Sequence, residues 1–305
     1  MEKARIDFSL RQLRYFVAAA ETLSITEAAK RLHISQPSVS TAVSALEEIF
    51  TTQLFNRHAS LGLALTPAGH LLAREARALM KSASDLHSTV REFSDAGAGT
   101  LSVGFLVTLA PFLLPMLTKG FQSQFPRAEL VPQEGSQTFL LDALTQGRLD
   151  CAITYDLKIP DNFDFLPILE LPPLVLLPQQ HRLAKQEKLR LANLQDEMMV
   201  QLDLPLSREY FEALFASAGV VPRIGYRSAY SDVVHSMVAE GFGYTLWNFP
   251  PRQCVSASGA SFVVRHLDEP LPPLRLGIVS MVTSSRRGIV EGFLHFSEGA
   301  LRRLT

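Results

Sequence analysis

The chain has 305 residues, a formal net charge of −1, and 47% hydrophobic and 19% charged residues. This length exceeds the size at which one hydrophobic core keeps growing, so we expect two or three domains. The near-neutral charge excludes a globally basic nucleic-acid binder, and any attraction to DNA must be local. The sequence has neither a run of about 18 apolar residues nor a basic-plus-apolar leader, which predicts a cytoplasmic chain without a membrane partner.

The first predicted element is an amphipathic scaffold helix near the N-terminus. Its apolar residues recur with the period of about 3.6 residues that a helix requires. They are Leu10, Leu13, Phe16, Val17 and Ala20.

Two shorter helices are predicted next, in the spacing of a helix-turn-helix. Ser24 and Glu27 have the Ser-x-x-Glu pattern of a capping box, which starts a helix that runs through Leu32. Ser35 is a candidate cap for the following helix, and Pro37 lies in its first turn, where a missing N–H costs little. The inward face of that third helix consists of Val39, Val43, Leu46 and Phe50.

The opposite face of the third helix carries short polar side chains. Such groups can reach base edges and phosphates in a major groove. They are Gln36, Ser38, Ser40, Thr41 and Ser44. Three short amphipathic helices can also form a simple bundle, because helix-turn-helix patterns are only moderately specific.

A longer stretch carries a more specific signal. From Leu10 the chain reads LRQLRYFVAAAETLSITEAAKRLHISQPSVSTAVSALE, followed by LFNR and LTPAG. This stretch resembles the N-terminal winged helix-turn-helix of LysR-type transcriptional regulators. The resemblance implies that the third helix enters the major groove and that a wing near residues 58–65 flanks the minor groove. It also adds Thr26 and Arg57 to the DNA-binding candidates.

The chain departs from the family pattern in three places. Thr51 stands where the family usually has a glycine, so the turn must form without the residue that best tolerates positive φ. Uncharged residues also replace the basic residues common on the recognition helix and in the wing, namely Thr41, Ser44, Ser60, Leu61 and Ala64. We therefore predict that DNA affinity falls less steeply with salt than in a relative with a basic helix.

A long helix is predicted after the cap and first-turn pair Thr66-Pro67. Its apolar residues alternate spacings of four and three, which is typical of a coiled-coil seam. They are Leu72, Ala76, Leu79, Ala83, Leu86, Val90 and Phe93. The alternative is an ordinary helix that faces its own core. The family resemblance implies a linker helix, residues 67–96, through which the chain self-associates as a homodimer or homotetramer.

After Ala96-Gly-Ala-Gly-Thr100 the pattern becomes that of an α/β domain. The predicted strands are 101–105, one around Leu130, 149–154, 174–177, 198–202, 223–228, 244–248 and 274–282. The predicted helices contain Leu113 to Phe121 and Leu140 to Leu144, then cover 207–218, 231–239 and 288–304. Pro132 places the second strand at a sheet edge, and Gly147 is the stop of the second helix.

This order predicts two lobes joined by two crossing strands, and it resembles the family's effector domain, which looks like a periplasmic substrate-binding protein. The fold class expected is thus α/β overall, with an all-α winged helix-turn-helix and a long linker helix before it. We predict a DNA-binding domain at 8–66, the linker at 67–96 and an effector domain at 97–305. Lobe I covers about 100–172 and 273–305, and lobe II about 173–272.

The effector site is predicted between the lobes, where strands end and helices begin. Thr108, Ser136, Gln137 and Thr138 precede or open two helices, whose free N–H groups suit a carboxylate or phosphate. The family resemblance implies that hydroxyls at these positions hold a small effector, for which an anion is the first candidate. Thr108 and Ser136 can also be simple N-caps. In lobe II, Trp247 and Asn248 are ligand candidates, although a lone tryptophan is more often core.

The resulting function is a ligand-responsive transcription regulator that binds double-stranded DNA, with RNA polymerase as a candidate partner. Cys151 and Cys254 are far apart in sequence, so no metal, disulfide or cofactor is expected, although redox sensing by either thiol is an alternative. No nucleophile elbow, phosphate loop, dinucleotide fingerprint or paired metal ligands are present, which argues against an enzyme. A transport-binding protein would not need the DNA-reading segment.

Overall fold

The computed structural model describes residues 7–58, 62–92, 99–282 and 288–304, without the side chains of 57, 58, 62 and 84–92. The chain divides into two compact units. One contains Met1–Ala96 and Asp142–Arg148, and the other contains Gly97–Leu141 and Leu149–Thr305.

The N-terminal unit is a winged helix-turn-helix followed by a long helix. In chain order it contains α1 (Leu10–Thr22), α2 (Ile25–Leu32), α3 (Gln36–Ile49), β1 (Phe55–His58), β2 (Gly62–Leu65) and α4 (Pro67–Glu92). Phe16, Val39 and Leu46 are fully buried between the helices. The ring of Phe16 meets Phe55 of the wing edge-on at 5.6 Å, so the hairpin shares the helical core. The predicted helix order is confirmed.

The helix caps differ in detail from the sequence prediction. The Ser24 hydroxyl accepts a hydrogen bond from the Glu27 N–H at 3.3 Å. The Glu27 carboxylate, however, accepts from Lys30 Nζ at 2.7 Å, so only half of the predicted capping box forms. Ser35 occupies the N-cap of α3, but its hydroxyl bonds the Ser38 hydroxyl at 2.8 Å instead of a backbone N–H.

The turn after α3 forms with threonine in the left-handed region. Thr51 has φ 50°, and its N–H donates to Glu48 O at 3.1 Å, as in a helix terminus that usually ends in glycine. The Glu47 carboxylate then accepts hydrogen bonds from the N–H groups of Leu54 at 2.8 Å and Phe55 at 3.3 Å. These bonds connect the end of α3 to the start of the wing.

The long helix α4 begins at the predicted cap, where the Thr66 hydroxyl accepts from the Gly69 N–H at 3.0 Å. The predicted coiled-coil seam is wrong in its first part, because Ala76 is buried in the core of the N-terminal unit and Leu72 packs against that core. Leu79 is 44% exposed and remains available to a partner. The side chains of Leu86 and Val90, and all of Phe93, lie outside the described residues.

The C-terminal unit alternates strands and helices, as predicted. Its strands are β3 (Gly99–Leu106), β4 (Ala128–Gly135), β5 (Cys151–Tyr155), β6 (Phe163–Leu171), β7 (Leu174–Pro178), β8 (Lys188–Leu189), β9 (Met198–Leu202), β10 (Arg223–Ser228), β11 (Thr245–Trp247), β12 (Phe262–Leu267) and β13 (Leu274–Met281). Its helices are α5 (Ala110–Gln124), α6 (Gln137–Thr145), α7 (Pro205–Ser217), α8 (Ser231–Ala239) and α9 (Gly288–Arg302).

The first lobe is built on a five-stranded sheet with the order β4-β3-β5-β13-β6. Pro132 lies on the edge strand β4, as predicted, because proline has no N–H to donate to a neighbouring strand. The other edge strand, β6, was not predicted. It contains Pro167 next to a register shift that skips Ile168, and this irregularity breaks the sequence alternation of a strand.

The second lobe contains a four-stranded sheet, β11-β7-β12-β8, and the parallel pair β9-β10. The bridge between Met199 and Tyr244 lies where β9 meets the start of β11. Strand β12 was not predicted, although it pairs with both β7 and β8. Two short segments connect the lobes, one between Leu171 and Leu174 and the other between Leu267 and Leu274. The predicted two-lobed arrangement with two crossings is confirmed.

Candidate DNA interface and effector cleft

Helix α3 presents a polar face outside the core. Gln36, Thr41 and Ser44 are exposed, and Ser38 and Ser40 are partly exposed. The opposite face, with Val39, Val43 and Leu46, is buried against α1 and α2. Thr26 is exposed in the first turn of α2. Arg57 belongs to strand β1, but its side chain is not among those that the structure describes.

The exposed face of α3 has no positive charge, because the helix sequence QPSVSTAVSALEEI contains neither lysine nor arginine. Contacts from this face to DNA must therefore be hydrogen bonds and van der Waals contacts, which can read base edges. Attraction to phosphates has to come from neighbouring elements.

A groove of about 410 Å³ runs beside this face, between α1 and α3. Its α1 wall contains Arg11, Gln12 and Tyr15. Its α3 wall contains Pro37, Ser38, Thr41, Ala42 and Ala45, so two of the predicted base-reading residues line the groove. The Arg11 Nε donates to the Tyr15 hydroxyl at 2.7 Å, which fixes the guanidinium at the groove wall.

The cleft between the lobes of the C-terminal unit is narrow. It is lined by Leu106 and Tyr155 at the ends of two strands, and by the first turns of α6 and α7. The lining residues from these turns are Ser136, Gln137, Thr138, Leu204, Pro205, Leu206 and Ser207. The enclosed space is about 20 Å³, which is room for about one water molecule. An organic effector therefore requires the lobes or side chains to move apart.

Some of the polar side chains at the start of α6 form hydrogen bonds within the protein. The Ser136 hydroxyl accepts from the Phe139 N–H at 3.3 Å, so Ser136 is an N-cap in this structure. Buried Gln137 donates from Nε2 to Leu157 O at 2.5 Å and accepts at Oε1 from the Thr154 hydroxyl at 3.1 Å. Thr138 is exposed toward the cleft.

Thr108 leads into α5, as predicted, but it is not the N-cap of that helix. Helix α5 begins two residues later, at Ala110, and its N-cap is Leu109, which makes no side-chain cap bond. Residues 107–109 form a turn, in which the Leu109 N–H donates to Leu106 O at 2.8 Å. Thr108 is 5% exposed and does not line the cleft cavity.

Trp247 also lies outside the cavity lining. It is 3% exposed in the core of the second lobe, so it has the core position that is more common for a lone tryptophan. Its ring meets the His235 ring edge-on at 4.5 Å, and His235 also contacts Phe262 at 5.5 Å. Burial lowers the pKa of His235, and nearby Asp232 only partly opposes this. His235 is therefore a buried neutral ring that supports the core.

Asn248 connects the two crossing segments instead of facing the cavity. Its Nδ2 donates to Leu171 O at 2.9 Å and to the Tyr210 hydroxyl at 3.2 Å. The Tyr210 hydroxyl in turn donates to Pro272 O at 2.8 Å. Burial raises the pKa of Tyr210 to about 12, so its phenol stays protonated and keeps donating at neutral pH. One hydrogen-bonded chain therefore spans both interlobe connections.

Three parts of the cavity lining were not predicted as ligand candidates, and the first is Leu106 at the end of β3. Tyr155 ends β5, and its pKa is raised by burial and by nearby Tyr210. The segment Leu204–Ser207 opens α7, with Pro205 in the first turn and without a side-chain cap bond. The sequence could have indicated this segment, because a strand is followed there by a helix with proline in its first turn. The same pattern led to the prediction of Thr108.

The small enclosed space between the lobes is thus surrounded by helix N-termini, hydroxyl groups and the phenol of Tyr155.

Within the described ranges, no group of three or more His, Cys, Asp or Glu side chains could hold a metal ion. Of the helices that the structure describes, none has both the length and the apolarity needed to cross a membrane. Cys151 is buried in β5 and Cys254 is exposed after β11.

A winged helix-turn-helix joined to a two-lobed α/β domain with an interlobe cleft defines a DNA-binding regulator with a ligand-binding domain. Residues 10–70 match the family described as "Bacterial regulatory helix-turn-helix protein, lysR family". Residues 94–302 match the "LysR substrate binding domain". The chain belongs to the LysR family of transcriptional regulators.

Similar curated proteins and solved structures support membership of this family. The "Hydrogen peroxide-inducible genes activator" of Dickeya chrysanthemi is 30% identical over 239 residues, 78% of each chain. The regulator CysB of Haemophilus influenzae is 30% identical over 237 residues, covering 77% of this chain and 73% of CysB. The structure of HinK, a LysR family regulator from Pseudomonas aeruginosa, is 34% identical with TM-score 0.67, covering 98% of this chain and all of HinK, 100%.

Proposed function

We propose that this regulator reads its operator through the polar face of α3, with Gln36, Ser38, Ser40, Thr41 and Ser44 at the DNA. The observation that carries this proposal is the exposure of these side chains opposite a buried apolar face. Thr26 is added from the first turn of α2 and Arg57 from the wing. The same proposal includes a DNA-binding domain at 8–66, a linker at 67–96 and an effector domain at 97–305. It also includes cytoplasmic localisation and contact with RNA polymerase.

The DNA interface is tested by footprinting of the full-length protein on the intergenic DNA upstream of its own gene. A Q36A/S40A variant is compared with a matched control, Q53A/S82A, which makes the same two changes outside α3. We expect protected half-sites with the wild type and the control, and loss of protection with Q36A/S40A, since each good base contact contributes about 1–3 kcal/mol of discrimination. Equal protection by both variants would show that α3 does not read the DNA.

For the C-terminal unit, we propose a small effector between the lobes, held by Thr138 and Ser136 at α6, by Ser207 at α7 and by Tyr155. Two helix N-termini with free N–H groups meet at this cavity, which favours a carboxylate or phosphate group. Because the enclosed space holds about one water molecule, the effector stabilises a more open arrangement of the lobes. That change alters the spacing or bending of the bound operator.

Isothermal titration calorimetry with a panel of small carboxylates and phosphates tests the effector site. We expect at least one compound to bind the wild type and to bind T138V at least tenfold more weakly. T52V, in the N-terminal unit, is the control for the same substitution and should bind like the wild type. Absence of binding by every anion of the panel would refute the anionic class.

Redox sensing is a second candidate function, favoured by relatives that are named as hydrogen peroxide-inducible activators. Exposed Cys254 is the accessible thiol, whereas Cys151 is buried within β5. We expect peroxide to change the footprint only if Cys254 is the sensor, and C254S to abolish that change. Under that reading C151S should respond like the wild type, so a peroxide response that persists in C254S would refute it.

A further inference from the structure

We infer that Arg11, on the scaffold helix α1, is a DNA phosphate contact that supplies the positive charge that α3 lacks. This inference rests on the proposed reading of DNA by α3 and assigns a second element to the same interface. Arg11 is exposed and lines the groove whose other wall carries Ser38 and Thr41. A strand of DNA that meets this face of α3 therefore passes beside the guanidinium.

Most other described cations of the N-terminal unit are already paired with carboxylates. These pairs are Lys30–Glu27 at 2.7 Å, Arg31–Glu21 at 2.7 Å, Arg77–Glu21 at 3.4 Å and Arg74–Glu75 at 2.8 Å. Among the described residues, no carboxylate pairs with Arg11 or with Arg14. Binding DNA through Arg11 thus breaks no existing ion pair.

The Arg11 guanidinium is also held in place. Its Nε donates to the hydroxyl of Tyr15 at 2.7 Å, and its central carbon lies 5.4 Å from the centre of the Tyr15 ring. Tyr15 itself is buried, so it is a rigid support. Among the described residues, no group accepts a hydrogen bond from its two terminal amino groups, and their fork geometry matches the oxygens of a phosphate.

The rest of the groove is suited to an anion. None of its lining residues carries a carboxylate, and Ser38 and Thr41 contribute hydroxyls. The Gln12 carbonyl oxygen accepts from the Ser9 N–H at 2.8 Å, which leaves the Gln12 amino group as a hydrogen-bond donor. The N-terminus of α3 begins at this groove with Pro37 in its first turn, and its dipole adds a partial positive charge.

The test measures how DNA affinity depends on salt. The probe is a fluorescein-labelled duplex that the wild-type full-length protein selects from a random-sequence library. Fluorescence anisotropy gives Kd between about 50 and 200 mM KCl, where phosphate contacts make the affinity strongly dependent on salt. For R11Q we expect Kd to rise about tenfold and the slope of log K against log salt to flatten by about 0.9, the value of one phosphate. R11K keeps the charge and should keep most of the slope.

Arg14 provides the matched control, because it is an exposed arginine of the same helix outside the groove lining. R14Q should keep the wild-type Kd and slope, which separates a local contact from a general loss of positive charge. Y15F should weaken binding a few-fold with the slope unchanged, because it removes the support and not the charge. Thermal unfolding of each variant confirms that the fold is intact.

The possible outcomes distinguish this inference from the proposed function. If the wild type selects a DNA site but R11Q binds it with unchanged Kd and slope, or if R14Q matches R11Q, the Arg11 contact is wrong while α3 can still be the reader. If Q36A/S40A binds the selected site like the wild type, the proposed reading through α3 is wrong, whatever Arg11 does. If the wild type selects no site, both are overturned.

Discussion

Replacing Thr51 with glycine should stabilise the N-terminal unit, although it removes a side chain. Thr51 occupies the left-handed region at φ 50°, which costs a non-glycine residue about 1–2 kcal/mol. Glycine removes this cost but gives the unfolded chain more freedom, which offsets about 0.4–1 kcal/mol. Because Thr51 is exposed, little packing is lost. We therefore expect a net gain of about 0.5–1 kcal/mol in the free energy of unfolding.

Differential scanning calorimetry of the full-length protein measures this change in the transition of the N-terminal unit. For a unit of this size, the gain corresponds to an increase in Tm of about 3–6 °C. T52G is the control, because Thr52 is the adjacent exposed threonine and is not among the residues with positive φ. There glycine only adds freedom to the unfolded chain and should lower Tm. A decrease in Tm for T51G similar to that for T52G would show that the left-handed turn is not strained.

The remaining predictions concern the C-terminal unit and the salt dependence. Burial lowers the pKa of His235 in the folded chain below its ordinary value of 6.5. As the pH decreases, His235 is therefore protonated in the unfolded chain before it is protonated in the folded chain. The free energy of unfolding should then fall as the pH decreases from about 7 to about 5. H235F keeps the ring contacts, and calorimetry at both pH values should show a smaller loss than in the wild type; an equal loss would contradict this. Y210F removes the hydroxyl that connects Asn248 to Pro272 and should lower the unfolding free energy by about 1 kcal/mol and increase hydrogen exchange in both interlobe segments, whereas unchanged exchange would exclude a hinge role. The salt titration of the wild type should be shallower than that of a relative with a basic recognition helix, and a steep slope would refute this.

The helix-turn-helix was predictable because its determinants are local. Ser24 caps α2, Pro37 lies in the first turn of α3, and the buried residues of both helices follow their periodicity. The linker seam was less predictable, since a four-and-three spacing does not reveal whether the partner is another chain or the same core. Ala76 packs against its own unit, and only the tertiary structure shows this.

The cavity between the lobes lies at the predicted strand ends, but only some of the predicted ligand residues line it. Ser136, Gln137 and Thr138 line the cavity, because the end of β4 and the start of α6 are close in sequence. Thr108 does not, because it is buried in the turn between β3 and α5. In the second lobe the lining comes from α7 instead of from Trp247, and the packing of distant segments decides that choice.

The two edge prolines of the first lobe limit how this protein can assemble. A further strand added beside β4 or β6 would meet Pro132 or Pro167, leaving a carbonyl of the incoming strand without a donor. A buried unpaired carbonyl costs about 1–3 kcal/mol, enough to weaken a continuous intermolecular sheet. A proline on each edge strand thus disfavours fibre-like growth of the five-stranded sheet at both of its edges.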